Sequence, residues 1–311
     1  VTRSADELQA VILAAGKGRR IAPFSSHLPK PLLPVVDRTI IEHQITRLAD
    51  FGVRDVAVVI GHLGSELVRV LGDGSRFGVR ITYLEQDHPM GLAHAVSRAE
   101  SWVDRPFFVL LGDIWFTDAG LDEMRDALVD GVDGVIAVKD EHDEEAMRRN
   151  FAVYENQAGD VARVVEKPLR VDTTLKGCGI YLFEPSFFEA IRRTPRTVLR
   201  NEFELTDAIQ LYVDAGHRVR GVRAVDNEIN VTEPRDLLAV NLQKLGDSSW
   251  IHPGAKVHPG ATIVRSVVLE GAHVEHPIRL EECLVLQGAT VRSTHDLARC
   301  IVTSEHIVDC G

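Results

Sequence analysis

The chain has little cysteine, no long apolar run and no surplus of positive charge. Its four cysteines are Cys178, Cys283, Cys300 and Cys310. None falls in a Cys-x-x-Cys spacing, which excludes the common zinc and redox motifs, so free buried thiols in a reducing compartment are expected. No apolar stretch reaches the roughly 20 residues of a membrane-spanning helix. No signal-peptide pattern precedes Leu8, so a cytoplasmic protein without a membrane partner is expected. Acidic residues outnumber basic ones, 46 to 35, for a formal charge of −11. That balance excludes the basic face of a sequence-independent nucleic-acid binder. It leaves room for a phosphorylated small substrate, because a few cations in a cleft can hold a polyanion inside an acidic protein. With 311 residues, 45% hydrophobic and 26% charged, the chain suits one large globular domain plus a smaller one.

The stretch Leu13-Ala14-Ala15-Gly16-Lys17-Gly18-Arg19-Arg20 follows an apolar run, Leu8 to Leu13, that reads as a buried strand. Two glycines permit a tight turn and close approach to a ligand. Arg20, and Lys30 in Leu28-Pro29-Lys30-Pro31, add positive charge suited to a triphosphate. No Gly-Lys-Ser/Thr closes the stretch, so it is not a Walker A loop. Lacking a third glycine, it is not the dinucleotide fingerprint either. Gly-x-Gly alone also fits a plain strand-to-helix turn.

Strands and helices alternate to about Lys139. Helices are expected at 39–51, 63–71, 91–102 and 121–129, and strands at 56–60, 79–84, 107–111 and 135–138. Such alternation implies right-handed βαβ units in a mostly parallel sheet, with ligands beyond the carboxyl ends of its strands. Gly16 lies at such an end, and so does Gly112-Asp113. Asp113 fits either a turn cap or a Mg²⁺ ligand. Gln86, before Gly91 in Gln86-Asp87-His88-Pro89-Met90-Gly91, carries an amide that can donate and accept at once. An ordinary polar loop would read the same way. From about Asp140 to Asn230 the strands 151–154, 161–165 and 179–183 form a smaller antiparallel layer. Glu166-Lys167-Pro168 closes one strand, where a surface pair is the plain alternative. Asn230 reads as a turn residue, with Asp226 four residues earlier.

Asp247-Ser248-Ser249 marks a boundary between residues 1–246 and 247–311. Beyond it Ile251, Val257, Ile263 and Leu269 recur every six residues, and blocks starting at Arg265, Glu282 and Arg299 every 17. This is the pattern of a short hexapeptide β-helix, left-handed by expectation. His252 and His258 occupy repeating turn positions and read as structural. Hexapeptide β-helices also host acetyltransferases, but this segment is short and lacks a long acceptor loop. Subunit assembly into a homo-oligomer is the expected use.

Taken in order, these motifs resemble those of the sugar-1-phosphate nucleotidylyltransferases, especially the long thymidylyltransferases of antibiotic-sugar pathways. The resemblance implies a Rossmann-like α/β fold and Mg²⁺-dependent transfer from a nucleoside triphosphate to a sugar-1-phosphate or cyclitol-1-phosphate. It implies nucleotide contacts at Leu13, Ala14, Ala15, Gly16, Gly18, Gln86, Gly91 and Asp113. Arg20, Lys30 and Lys167 become catalytic. Ala152, Glu166, Lys167 and Gly179 hold the sugar phosphate, and Asp113 with Asn230 holds the metal. The match is inexact. Arg19 stands for the usual threonine or serine, Phe151-Ala152 for a Tyr-Gly pair, and Asn230 for a carboxylate. dTTP or UTP is favoured by Gln86 and Gly91. A GTP-using guanylyltransferase and a catalytically silent regulatory homologue are the alternatives.

Overall fold

The computed structural model describes residues 3–16, 18–22, 24, 28–198 and 201–311, with the backbone alone for Arg19, Asp118 and Ala119. The first half runs β1 (Gln9–Leu13), β2 (Pro34–Val35), β3 (Arg38–Thr39), α1 (Ile40–Phe51), β4 (Asp55–Ile60), α2 (Gly64–Leu71), β5 (Arg80–Glu85), α3 (Leu92–Ser97), β6 (Phe107–Leu111), β7 (Ile114–Ala119) and α4 (Leu121–Ala127). It continues with β8 (Gly134–Asp140), α5 (Glu144–Arg149), β9 (Phe151–Glu155), β10 (Val161–Glu166), β11 (Leu175–Phe183), α6 (Phe187–Arg193), α7 (Leu205–Asp214), β12 (Val219–Val222), β13 (Val225–Asn230) and α8 (Pro234–Leu245). Two compact units result, one of residues 1–17 and 44–228, the other of residues 18–43 and 229–311.

In the first unit a sheet runs in the order β10-β9-β11-β6-β1-β4-β5, with β8 and then β12 branching from β11. Every residue of β1 is buried, as an apolar run covered on both faces must be. β1 lies between β4 and β6, parallel to both and in register, Leu13 opposite Val59 and Leu111. The antiparallel strands are not a detached layer. They continue the same sheet, because β11 pairs with β6, β8 and β9 at once. That triple pairing requires an irregularity, and the register of β11 against β8 shifts between Gly177 and Tyr181. A side chain on Gly177 would collide with the Phe151 ring, and Gly179 has φ +70°. The core beneath is aromatic, Phe183 stacking on Phe187 at 3.8 Å between ring centres, with Tyr212 edge-on.

Helix α3 ends at Ser97, short of the expected 102. The Ser97 hydroxyl donates to the His94 carbonyl (2.8 Å), a local bond that competes with helix continuation. Turns with i→i+3 bonds carry the chain on from there.

In the second unit Asn241 ties the β2–β3 hairpin to α8. Asn241 is fully buried. Its Oδ1 accepts from the Val36 amide (2.8 Å), while its Nδ2 donates to the carbonyls of Pro34 and Leu237 (both 2.9 Å). Beyond residue 249 short parallel strands stack with a 17-residue step. Trp250 pairs with Val267, Val267 with Leu284, and Leu284 with Ile301. Lys256, His273 and Thr290 form a second ladder, and Ile263, Leu280 and Leu297 a third. Val268, Val274, Leu280, Val285 and Val291 fill the interior. Ile251, counted in the six-residue repeat, is 44% exposed. It sits in the first turn of the stack, whose strand is paired on one side only. His252 and His258 each accept, through Nδ1, the amide proton of the glycine two residues on (3.0 Å). The structural reading of these histidines therefore holds.

Asn241→Ala is expected to orphan the Val36 amide and the Pro34 carbonyl, at a cost of roughly 2–4 kcal/mol in urea unfolding. A loss below about 0.5 kcal/mol would show that the side chain is not the link it looks.

Candidate active site

Four parallel strands end along one edge of the first unit, and the loops that leave them are tied together. The Ala14 amide donates to Val59, the Gly112 amide to Leu13, and the Gln86 amide to Ile60 (2.8–3.0 Å). Ala14 to Gly16, Gln86 and Gly112-Asp113 thus share the carboxyl edge, where ligands of parallel sheets bind. Leu13, Ala14 and Ala15 are buried, so what they offer there is main chain. A side chain on Gly16 would meet nothing within 4 Å, and its φ is not positive. Neither backbone nor packing demands glycine there, which leaves space for something else. Gly61, which the sequence reading passed over, has Ala15 pressed against it. A Cβ there would sit 3.0 Å from that residue's carbonyl oxygen.

Gln86 is 5% exposed. Its Nε2 donates to Nδ1 of His94 (2.8 Å) and, more weakly, to the Gly91 carbonyl (3.4 Å). Gly91 has φ +104°, and the space a Cβ would need is taken by the main chain of Phe203. The Phe203 ring stacks on His94 and lies 5.1 Å from the Arg196 guanidinium.

A second group lies on β9, β10 and β11. Ala152 is fully buried, opposite Val165 on one side and Lys176 on the other. Gly179 is buried in the irregularity of β11. At the end of β10, Glu166 and Lys167 are 4.0 Å apart. Lys167 has φ +46°, a left-handed conformation strained for lysine and doubly so before proline. Strain of that kind gathers at ligand clamps.

Lys176 and Glu228 were not singled out in the sequence. Their side chains, 7% and 4% exposed, are 2.5 Å apart, with Glu141 3.8 Å from Lys176. Glu228 Oε2 is buried and accepts no hydrogen bond. Burial first, and then the charge of Glu228, push the Cys178 thiol well above its usual range. A lysine inside a strand of otherwise uncharged residues was the available signal, since a buried charge needs a partner.

Gly18, Arg20, Lys30 and Asn230 belong to the second unit. Gly18 has φ +58° and opens the short helical turn Arg19–Ile21. Arg20 is exposed, whereas Lys30 is 8% exposed in the turn Lys30–Leu32. Asn230 Oδ1 accepts from the Thr232 hydroxyl (3.2 Å). Lys17 and the side chain of Arg19 lie outside the described residues. Asp113 in the first unit and Asn230 in the second each carry an oxygen donor of the kind Mg²⁺ takes. Among the described residues no group of three or more His, Cys, Asp or Glu is placed to hold a metal. One hard oxygen is enough of a protein contribution for Mg²⁺, which keeps waters and substrate phosphates as most of its ligands.

The family model described as nucleotidyl transferase matches residues 9–244. The chain belongs to that family. A glucose-1-phosphate thymidylyltransferase of Streptomyces griseus is 31% identical over 86% of this chain and 75% of its own length. The UTP–glucose-1-phosphate uridylyltransferase AglF of Haloferax volcanii is 32% identical over 74% of this chain and 93% of its own length. A Bacillus anthracis structure provisionally named a glucose-1-phosphate thymidylyltransferase superposes with a TM-score of 0.68. It is 25% identical and covers 76% of this chain and 94% of its own. The resemblance drawn from the motifs is borne out: this nucleotidyl transferase is an enzyme of the sugar-1-phosphate nucleotidylyltransferase type. No helix among its described residues is long and apolar enough to cross a membrane.

Lys176→Met is expected to strand the Glu228 carboxylate and to lower unfolding stability by about 3–5 kcal/mol. The double variant Lys176→Met/Glu228→Leu should recover most of that loss in denaturant titrations.

Proposed function

We propose that the chain transfers a nucleotidyl group, from dTTP or UTP, to a sugar-1-phosphate or cyclitol-1-phosphate, giving a nucleotide sugar and pyrophosphate. The observation that carries this reading is the shared carboxyl edge of β1, β4, β5 and β6, where Gly16, Gln86 and Asp113 emerge in a nucleotidyl transferase. An oxygen of the acceptor's phosphate forms a bond to the α-phosphorus. The bond from that phosphorus to pyrophosphate breaks in line. No covalent enzyme intermediate is needed, so the residues position their substrates and stabilise charge.

Leu13, Ala14, Ala15, Gly16 and Gly18 approach the triphosphate with backbone, since glycines and buried alanines present little else. Arg20 neutralises charge moving onto the leaving pyrophosphate, and Lys30 holds phosphate oxygens. Gln86 and Gly91 meet the base. Glu166 accepts hydroxyls of the acceptor, Lys167 holds its phosphate, and Ala152 and Gly179 shape the strands around it. Asp113 and Asn230 would hold Mg²⁺, which would supply positive charge to offset the repulsion between the two phosphorylated substrates. The buried methyl of Ala152, where glycine is usual, supports an uncommon sugar or a cyclitol as acceptor.

Residues 1–246 form the catalytic domain in this reading. Residues 247–311 form a left-handed β-helix that assembles a cytoplasmic homo-oligomer, and the 17-residue register of three parallel ladders supports it. Neither nucleic acid nor membrane is a partner, in keeping with the charge of −11.

Pyrophosphate release across dTTP, UTP, GTP, CTP and ATP against a panel of sugar and cyclitol 1-phosphates tests the reaction. Release is expected with dTTP or UTP and is expected to stop with chelator. Arg20→Ala and Asp113→Ala should each lower kcat by roughly 10²–10³ with unchanged circular dichroism and melting. Near-normal turnover in either variant refutes that role. Binding of a nucleotide sugar with no release from any pair would instead favour a silent regulator.

A further inference from the structure

The orientation of the Gln86 amide can be read from its neighbours. Its Nε2 faces the Gly91 carbonyl and Nδ1 of His94. A main-chain carbonyl only accepts, so the group turned toward it is the NH₂. Nδ1 of His94, bonded to that same group, is then an acceptor, and the imidazole carries its proton on Nε2. Burial lowers the pKa of His94, and so do the nearby charges of Arg98, Arg196 and His88. The ring is accordingly neutral at neutral pH. It is also fixed in place, stacked against Phe203.

Both protons of the Gln86 amide are therefore engaged, which makes Oε1 the end that would meet a base. We propose that His94 is a positioning residue: by holding Gln86 with its oxygen outward, it selects a base that presents a ring N–H, as uracil and thymine do, over one that presents a bare ring nitrogen, as cytosine does. This inference rests on the reading of Gln86 as a base contact. Protonated His94 would offer a second donor to the NH₂ group. A charge-assisted bond from the protonated Nδ1 to Oε1 would outweigh the weak 3.4 Å bond to the Gly91 carbonyl, so the amide would turn over, present its nitrogen, and lose the preference. The groups facing His94 are Arg98 at the end of its own helix, Arg196 from the segment before α7, and His88 from the loop after β5. Of these groups His88 is the one whose substitution serves as the control.

The test is equilibrium binding of UTP, dTTP and CTP to the full chain from about pH 5.5 to about pH 8, with pyrophosphate release followed alongside. The wild type should prefer UTP to CTP by about tenfold or more at the upper end, since one hydrogen bond is replaced by two opposed acceptors. That ratio should fall as the pH is lowered. His94→Ala should depress it at every pH. His94→Asn, whose Oδ1 can accept in place of Nδ1, should keep it high and independent of pH. His88→Asn should behave as the wild type does. An unchanged ratio in His94→Ala, or a pH slope that survives in His94→Asn, overturns the proposal; should His94→Ala fail to fold, the His94→Asn profile decides alone. Base discrimination without pyrophosphate release would refute the transfer reaction and leave the role of His94 standing. Release without discrimination would do the reverse. Binding of no nucleotide would overturn both.

Discussion

The pairing of β1 between β4 and β6 is the constraint on which the first unit depends. A strand buried on both faces has no freedom to slip, because a shift of one residue would carry every side chain to the opposite face. Register so fixed propagates into the loops. The amides of Ala14 and Gly112 are drawn to carbonyls of the neighbouring strands, and main-chain groups that leave the sheet do so at set heights. Polyphosphate recognition by backbone needs that kind of rigidity, since a loop that moves must be ordered again on each binding event.

The antiparallel strands meet a different requirement. β11 has to satisfy partners running in opposite directions, and it does so with two glycines and an irregular register. Phe151 takes the space above Gly177. The departure noticed in the sequence at Phe151-Ala152 therefore has a packing consequence: the ring belongs to the aromatic core with Tyr181, and the methyl of Ala152 is enclosed between strands. Ion pairing follows the same economy of space, since Lys176 reaches into the strands only because Glu228 and Glu141 receive it.

Much of this architecture was legible in the sequence because hydrophobic periodicity and glycine placement are local. The helix at 39–51 and the strands at 56–60 and 107–111 matched within a residue or so. α3 was overestimated because the bond from Ser97 to the His94 carbonyl leaves no mark on apolar spacing. The continuity of the sheet was not legible either, because it depends on which strand β11 chooses, a long-range matter. At the candidate site the positions of Gly16, Gln86 and Asp113 at strand ends could be read from alternation alone. The tie between Gln86 and His94 could not, for eight residues separate them in sequence and only the fold of the intervening turn brings them together.

One ladder of the stacked coils carries a reversal. All earlier neighbours in the three ladders are parallel, but residues Ile307–Asp309 fold back antiparallel on Cys300–Val302. A parallel stack without such an end would present a bare row of amides and carbonyls with the same spacing as its own interior. Another molecule's stack could continue it indefinitely. The hairpin places a strand of opposite polarity on that row of one ladder, so this edge offers no template for its own repeat. On that ladder a second copy of the stack finds no edge matching its own, so contact between copies is left to the other ladders and faces.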